Sequence, residues 1–237
     1  MGNTEQLRAV EEVRKSLFAL RDEGYQKFHA ALIPTVPNDR IIGVRIPVLR
    51  TFAREMATNR PQQARAFLSV LPHEFYEEDM LHGLLIEREK TFAEAKARLD
   101  EFLPFVDNWA VTDVTAPKAL KKDPAALQDM ISEYLKREEE YVVRYGIVSA
   151  MRFYEVLPDK SAAMDEIASL SREEYYIKMA AAWFFATVYA LDRERAKPYF
   201  IRGIGDKFTH NKAIQKARES FRISDEDKAF LTTLKRV

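Results

Sequence analysis

The sequence contains no cysteine and only four histidines, at positions 29, 73, 82 and 210. Without cysteine there is no disulfide, no thiolate zinc site and no cysteine nucleophile. Four scattered histidines do not predict a histidine-rich metal site, so we expect neither a metal nor another cofactor. Glycine is also scarce, at seven residues, and neither GxGxxG nor GxxxxGK[ST] occurs. The sequence therefore lacks the common glycine-rich loops that bind phosphates.

Excess charge and long apolar runs are missing as well. The 37 Lys and Arg residues balance 37 Asp and Glu residues, so net charge predicts no long-range attraction to DNA or to anionic membranes. No apolar run approaches the roughly eighteen residues that a membrane-spanning helix needs. The first residues are polar and do not resemble a signal peptide. We therefore expect a cytoplasmic, globular protein that makes no contact with a membrane.

What the sequence does contain is helical periodicity from end to end. Near the start, apolar residues recur at steps of three and four: Leu7, Val10, Val13, Leu17 and Leu20. No segment alternates apolar and polar residues as a half-buried strand does. The periodicity predicts helices over residues 4–20, 23–33, 46–58, 61–71, 76–88, 91–103, 108–121, 124–137, 140–156, 160–169, 173–190, 193–202, 210–219 and 224–235.

The predicted helices begin where their sequences favour it. Prolines at positions 47, 61 and 124 suit a first helical turn. Ser171 with Glu174 predicts a capping box, and Ser224 with Asp227 a weaker one. Short connections and the absence of a low-complexity linker predict one domain over residues 1–237. We expect an all-α fold, an α-solenoid or superhelix of HEAT-like antiparallel helix pairs, with an irregular helix bundle as the alternative.

Trp109 and Asp113 are four residues apart, so they share one face of a predicted helix, which Ala116 and Leu120 continue. A carboxylate within an apolar stripe is either paired or directed into a cleft. The simpler alternative is an aspartate on the helix surface beside a core tryptophan.

Arg144 lies within the apolar stripe formed by Ile147, Val148 and Met151. A guanidinium in that position needs an acidic partner or a phosphate. The alternative is an arginine that extends to solvent or forms a structural ion pair.

The main apolar stripe of the helix predicted over 173–190 is formed by Ile177, Ala181, Phe184 and Val188. Trp183 lies off that stripe, among Met179, Ala182 and Ala186. Two interpretations remain open: a second buried face, or a tryptophan presented on a concave surface. Farther on, residues 195–237 carry eleven Lys and Arg residues against five acids. This local excess suits either a polyanion or a solvated helix face.

The chain resembles the AlkD-like DNA alkylation repair family over nearly its whole length. The resemblance depends on the order and spacing of six segments. Those segments are IIGVRIPVLRTFARE, FYEEDMLHGLLIE, NWAVTD, VVRYGIVSA, IKMAAAWFF and HNKAIQKARESFRIS. The family consists of HEAT-like α-solenoids and includes DNA glycosylases for alkylated purines. The resemblance therefore implies the same fold and a DNA repair function.

In the family's glycosylases, two tryptophans and one aspartate form the catalytic cleft. Trp109, Asp113 and Trp183 fall on those positions, and they include both tryptophans of the chain. The family motif usually has two adjacent tryptophans, the first of which is replaced here by Asn108, so the chain resembles a divergent subgroup. The resemblance implies catalytic roles for the three matching residues.

Arg144 matches a further family position, and we expect it to contact phosphates together with Lys178, Lys212 and Lys216. The resemblance implies a monomer that binds double-stranded DNA with alkylated bases. It would hydrolyse N-glycosidic bonds of N3- or N7-alkylpurines without flipping the base. The alternative is a non-catalytic HEAT-like solenoid that binds nucleic acid or a protein partner.

Overall fold

The computed structural model describes residues 3–237, and its regular structure over this range is helical, with fourteen α-helices and no strand. The chain forms two compact units, divided between Lys122 and Asp123. The first unit contains seven helices: α1 (Asn3–Ala19), α2 (Glu23–Ala30), α3 (Ile46–Asn59), α4 (Pro61–Leu68), α5 (Tyr76–Ile86), α6 (Phe92–Phe102) and α7 (Trp109–Val114). It also has 3-10 turns at Asn38–Arg40, Leu103–Phe105 and Lys118–Lys122.

The second unit contains seven further helices: α8 (Pro124–Leu135), α9 (Glu140–Arg152), α10 (Lys160–Ala168), α11 (Tyr175–Leu191), α12 (Arg193–Arg202), α13 (Lys207–Glu219) and α14 (Asp225–Thr233). A 3-10 turn, Tyr154–Val156, follows α9. Helix α11 packs against α9 and α13, while α8 packs on α9, α12 on α11, and α14 on α13. The predicted all-α class with solenoid-type stacking of helices is confirmed.

Apolar stripes form the core of each unit, because each helix buries the face on which its hydrophobic residues recur. In α1, Val13 and Leu17 are fully buried, as the periodicity predicts, whereas Leu7 and Leu20 at the two ends of the same stripe are exposed. In α11, the predicted stripe of Ile177, Ala181 and Phe184 is buried too.

Helix boundaries agree closely with the prediction except at α7. The predicted helix over 108–121 ends at Val114 and is followed by the separate 3-10 turn Lys118–Lys122. Pro117 explains the break, because proline has no N–H to donate and disfavours helical geometry in the preceding residue. Ala116 and Leu120 therefore do not continue the face of Trp109 and Asp113.

The helix starts confirm most of the predicted signals. The three prolines occupy first-turn positions of α3, α4 and α8. Ser224 caps α14 by accepting a hydrogen bond from the Asp227 N–H at 3.2 Å. The capping box predicted at Ser171 is wrong, because α11 begins at Tyr175 and Glu174 is its N-cap.

The segment before α3 is held by a buried carboxylate. Glu77 of α5 accepts hydrogen bonds from the N–H groups of Ile42, Gly43 and Val44 at 2.8, 2.7 and 3.2 Å. Burial raises the pKa of Glu77, and the three N–H donors oppose that rise. Gly43 has a φ of 98°, and a β-carbon there would lie 2.6 Å from Cβ of Gln26, so this position requires glycine.

Candidate functional site

Asn108 begins the helix that carries the first two candidate residues. Its Oδ1 accepts a hydrogen bond from the N–H of Val111 at 3.1 Å, which makes it the N-cap of α7. The side chain is buried, and its Nδ2 donates to Asp107 Oδ1 at 3.0 Å. Asn108, which stands where the motif described above usually has a tryptophan, is therefore the residue that starts the short helix α7.

Arg40 connects this helix start to the body of the first unit. Its Nη1 donates to Asp107 Oδ2, and its Nη2 lies 3.6 Å from Asp79 Oδ2 of α5. Burial and the nearby charge of Asp107 raise the pKa of Asp79 well above its usual range, whereas Arg40 lowers it. None of the predicted site residues belongs to this network, although the acidic run Glu77–Asp79 within an apolar segment is a usable signal.

Trp109 and Asp113 lie one turn apart on α7, and both are half-buried. The indole Nε1 of Trp109 donates a hydrogen bond to the carbonyl oxygen of Leu32 at 3.0 Å. The Thr112 hydroxyl donates to the carbonyl oxygen of Trp109 at 2.7 Å and lies 3.2 Å from Asp113 Oδ1. These hydrogen bonds thus hold an aromatic face and a carboxylate side by side, an arrangement that suits a cationic ligand.

Trp183 is exposed on α11, with 37% of its surface accessible. The alternative in which it packs in a second buried face is therefore wrong. It lines a groove of about 320 Å³ together with Ala186, Thr187, Ala190, Lys216, Glu219, Ser220 and Arg222. The small side chains of α11 leave room beside the indole, and two cations border the space.

The predicted lysines lie in different surroundings within the second unit. Lys216 lines the Trp183 groove. Lys212 donates to Gln215 Oε1 at 2.9 Å, and its Nζ lies 5.9 Å from the centre of the Phe208 ring.

Lys178 is held by two carboxylates. Its Nζ lies 2.8 Å from Asp206 and 2.7 Å from Glu173, and these partners raise the pKa of Lys178. It lines a separate pocket of about 360 Å³, formed by residues from the ends of α10 and α12 and the starts of α11 and α13. The structure therefore brings Lys216 to Trp183 but places Lys178 in an ion-pair network.

Arg144 is buried in α9, with only 5% of its surface accessible. Its Nη1 donates a hydrogen bond to the carbonyl oxygen of Tyr176 at 2.9 Å. Burial at this level excludes the alternative in which the guanidinium simply extends to solvent. Ile147 and Val148 beside it are buried as predicted.

Between residues 3 and 237, no group of three or more His, Asp or Glu side chains is arranged to hold a metal ion. Over the same range, every helix is too short or too polar to cross a membrane.

Arg222, Thr112 and the carbonyl of Leu32 were not among the predicted site residues. Arg222 could have been found from the basic C-terminal segment. By contrast, the Leu32 carbonyl carries no sequence signal, because every residue has one.

The family model for the DNA alkylation repair enzymes matches residues 13–221 of the chain. This span includes Trp109, Asp113 and Trp183, as well as the four predicted phosphate-contacting cations. No curated protein and no solved structure matches the chain.

Proposed function

The chain belongs to the family of DNA alkylation repair enzymes, and we propose that it excises N3- or N7-alkylated purines from double-stranded DNA. In this proposal it is a monofunctional glycosylase that hydrolyses the N-glycosidic bond without flipping the base. Trp109, Asp113 and Trp183 are its proposed catalytic residues. The observation that carries the proposal is the pairing on α7 of an indole and a carboxylate, each half-buried and each held by hydrogen bonds.

The chemistry begins with the charge of the damaged base. Alkylation at N3 or N7 makes a purine cationic and therefore a good leaving group. As the bond from C1′ to the base nitrogen breaks, its electron pair moves to the base, which becomes neutral. Positive charge then develops on the deoxyribose as an oxocarbenium ion. A carboxylate and the negative faces of two indoles stabilise such a charge more strongly in the transition state than in the ground state.

Asp113 has two tasks in this scheme. Its negative charge stabilises the developing oxocarbenium ion, and its carboxylate orients the water that attacks C1′. The water oxygen forms the new bond to C1′, and its proton passes to the carboxylate. Thr112, whose hydroxyl lies 3.2 Å from Asp113 Oδ1, directs the carboxylate. Trp109 and Trp183 supply the aromatic faces that stabilise the positive charge in this proposal.

In this proposal, basic side chains bind the phosphate backbone of the DNA. Arg144, Lys178, Lys212 and Lys216 are the proposed phosphate contacts. Lys216 is best placed because it borders the Trp183 groove, whereas Arg144 is buried and Lys178 is held by two carboxylates. Such contacts release counterions, so binding weakens as salt rises. We also propose that the protein acts as a cytoplasmic monomer and that residues 1–237 form one functional domain.

The test measures release of N7-methylguanine from duplex DNA by the purified protein and by Asp113→Asn. Loss of one electrostatic contact in the transition state costs about 2–4 kcal/mol. Excision should therefore fall roughly 30- to 1,000-fold. DNA affinity, measured by fluorescence anisotropy, should change little, because Asp113 acts mainly in the transition state. Asp129→Asn, an exposed change on α8, is the matched control and should leave both quantities unchanged.

Two outcomes would contradict the proposal in different ways. Wild-type protein that binds duplex DNA but releases no base would leave a non-catalytic DNA-binding solenoid. Wild-type protein that neither binds nor releases base would indicate a solenoid that acts through a protein partner.

A further inference from the structure

His29, near the end of α2, is buried, with only 7% of its surface accessible. A hydrogen bond of 2.8 Å joins its Nε2 to the hydroxyl oxygen of Tyr76. Its Nδ1 lies 3.4 Å from the hydroxyl oxygen of Tyr25, and the Tyr25 ring stacks on the imidazole with the ring centres 5.2 Å apart. Both ring nitrogens of His29 therefore face a phenol.

The imidazole of His29 and the two phenols carry no charge at neutral pH. Burial lowers the pKa of His29 and raises the pKa of both Tyr25 and Tyr76. A neutral imidazole has one donor nitrogen and one acceptor nitrogen, and a phenol can both donate and accept. The hydrogen bonds of His29 are therefore formed without burying a charge.

Tyr76 joins His29 to a helix that is buried along its whole length. Tyr76 is the first residue of α5, and all residues of this helix are buried. The next residue, Glu77, holds the segment before α3 through three main-chain hydrogen bonds. The start of α5 is thus a fixed point in the first unit, and His29 is bonded to it.

The main chain after α2 connects His29 to the candidate site. The N–H of Leu32 donates to the carbonyl oxygen of His29 at 2.9 Å. The carbonyl oxygen of Leu32 in turn accepts the hydrogen bond from Nε1 of Trp109 at 3.0 Å. The Leu32 side chain is exposed, so its packing does not fix that carbonyl. The buried side chain of Ile33 holds the path of the chain, whereas the directional hydrogen bonds hold the rotation of the turn.

We infer that His29 is a positioning residue, because its hydrogen bond to Tyr76 fixes the turn after α2 and thereby the orientation of the Trp109 indole. His29 does not touch the substrate in this scheme. A ring stabilises a cation that lies over its face, so a rotated indole loses the interaction. The inference rests on the proposed function, because it concerns how Trp109 serves excision.

The two tryptophans of the chain allow the surroundings of the indole to be measured directly. In a Trp183→Phe background, Trp109 is the single tryptophan, and the fluorescence is its own. His29→Phe keeps an aromatic ring but removes the hydrogen bond to Tyr76. It should shift the emission of Trp109 to longer wavelength and increase its quenching by acrylamide, because an indole released from the Leu32 carbonyl is more exposed to water.

Excision is measured with both tryptophans present. His29→Phe should lower kcat for release of N7-methylguanine about 10- to 100-fold, with little change in KM, because a misplaced group stabilises the transition state less well. Tyr76→Phe breaks the same hydrogen bond from its other side and should have the same effect. The double variant should be no slower than either single variant, because one bond is lost in all three.

Two further variants separate positioning from stability. His29→Gln retains a side-chain amide that can bond to Tyr76, so it should restore part of the emission and part of kcat. His210→Phe is the matched control, because His210 is a buried histidine of the second unit with a hydrogen bond at each ring nitrogen. It should lower the thermal midpoint, as His29→Phe does, but leave kcat and the emission of Trp109 unchanged well below that midpoint.

The remaining outcomes each decide one point. If His29→Phe does not fold, Tyr76→Phe decides the inference alone, because it removes only a hydroxyl group. If these variants leave either the emission of Trp109 or kcat at the wild-type value, the inference is overturned while the proposed function stands. If the wild type releases no base, the proposed function is overturned, and the emission alone decides whether His29 orients Trp109.

Discussion

The indole N–H of Trp109 is bound, at 3.0 Å, to the main-chain carbonyl of Leu32, a residue 77 positions earlier in the chain. This contact fixes the orientation of the ring on α7, and a main-chain acceptor cannot be removed by substitution. Trp109→Phe keeps an aromatic face but loses the donor. It should lower the free energy of unfolding by about 1 kcal/mol.

The two substitutions at this position separate the hydrogen bond from the aromatic face. Trp109→Phe should retain part of the excision activity, and Trp109→Ala should lose far more, because only the former keeps a face that stabilises a cation. Excision rates and urea unfolding of both variants check this. Equal excision by Trp109→Ala and wild type would remove Trp109 from the catalytic set.

Gly83 of α5 sets how closely α7 packs. A β-carbon at Gly83 would lie 2.1 Å from Thr115 Oγ1, at the end of α7. Gly83→Ala should therefore displace α7, lower the free energy of unfolding by about 1–3 kcal/mol and reduce excision.

Gly24→Ala is the matched control for that change. The nearest atom to a β-carbon at Gly24 is Asp22 Oδ1 at 3.4 Å, an ordinary contact. It should change stability by less than about 1 kcal/mol and leave excision unchanged. If the two variants behaved alike, close packing at Gly83 would not control the position of α7.

Lys178 and Lys216 should differ in their effects on DNA affinity. Lys178 is bound by Asp206 and Glu173, and these partners must be exchanged before it can contact a phosphate. Lys216 borders the Trp183 groove without such partners among the described residues. Lys216→Ala should reduce the salt dependence of log affinity by about 0.9, and Lys178→Ala should have a smaller effect. Salt titrations followed by fluorescence anisotropy measure both effects. A larger effect of Lys178→Ala than of Lys216→Ala would contradict this prediction.

Acid should destabilise the first unit through two buried imidazoles. His73 Nε2 and His82 Nδ1 are 2.8 Å apart, and the rings stack against Phe67 and Phe102 respectively. Burial lowers the pKa of His73 to about 3 and that of His82 well below its usual range. The unfolded chain takes up protons below about pH 6.5 while these folded imidazoles stay neutral. Stability is therefore full above pH 6.5 and falls as the pH drops towards 3.

The size of this effect gives the test. Each histidine contributes a slope of about 1.4 kcal/mol per pH unit well below pH 6.5. The double variant His73→Phe, His82→Phe keeps the aromatic stack and removes both titrations, so its stability should fall less between pH 6.5 and 4.5. Urea unfolding at three pH values measures the slopes. If the free energy of unfolding depended on pH in the double variant as it does in the wild type, groups other than these two histidines would cause the acid sensitivity.

The helices themselves could be predicted from the sequence, because helical periodicity and the prolines of first turns are local signals. Each depends on residues within about four positions of one another. The same local reasoning was wrong at α7, where Pro117 outweighed the apolar pattern of Ala116 and Leu120. Even there, the deciding residue was present in the sequence and its effect was underestimated.

The environment of the candidate site was decided by tertiary structure alone. Periodicity places Trp183 off the main stripe, but only the packing of α9 and α13 against α11 decides that its indole is exposed. Lys178 is one cation among many in the sequence, and Asp206 neutralises it from 28 positions away. The Leu32 carbonyl that orients Trp109 is farther still. Local sequence determines which residues share a helix face. Whether that face is buried, paired or open depends on distant residues that only the folded chain brings together.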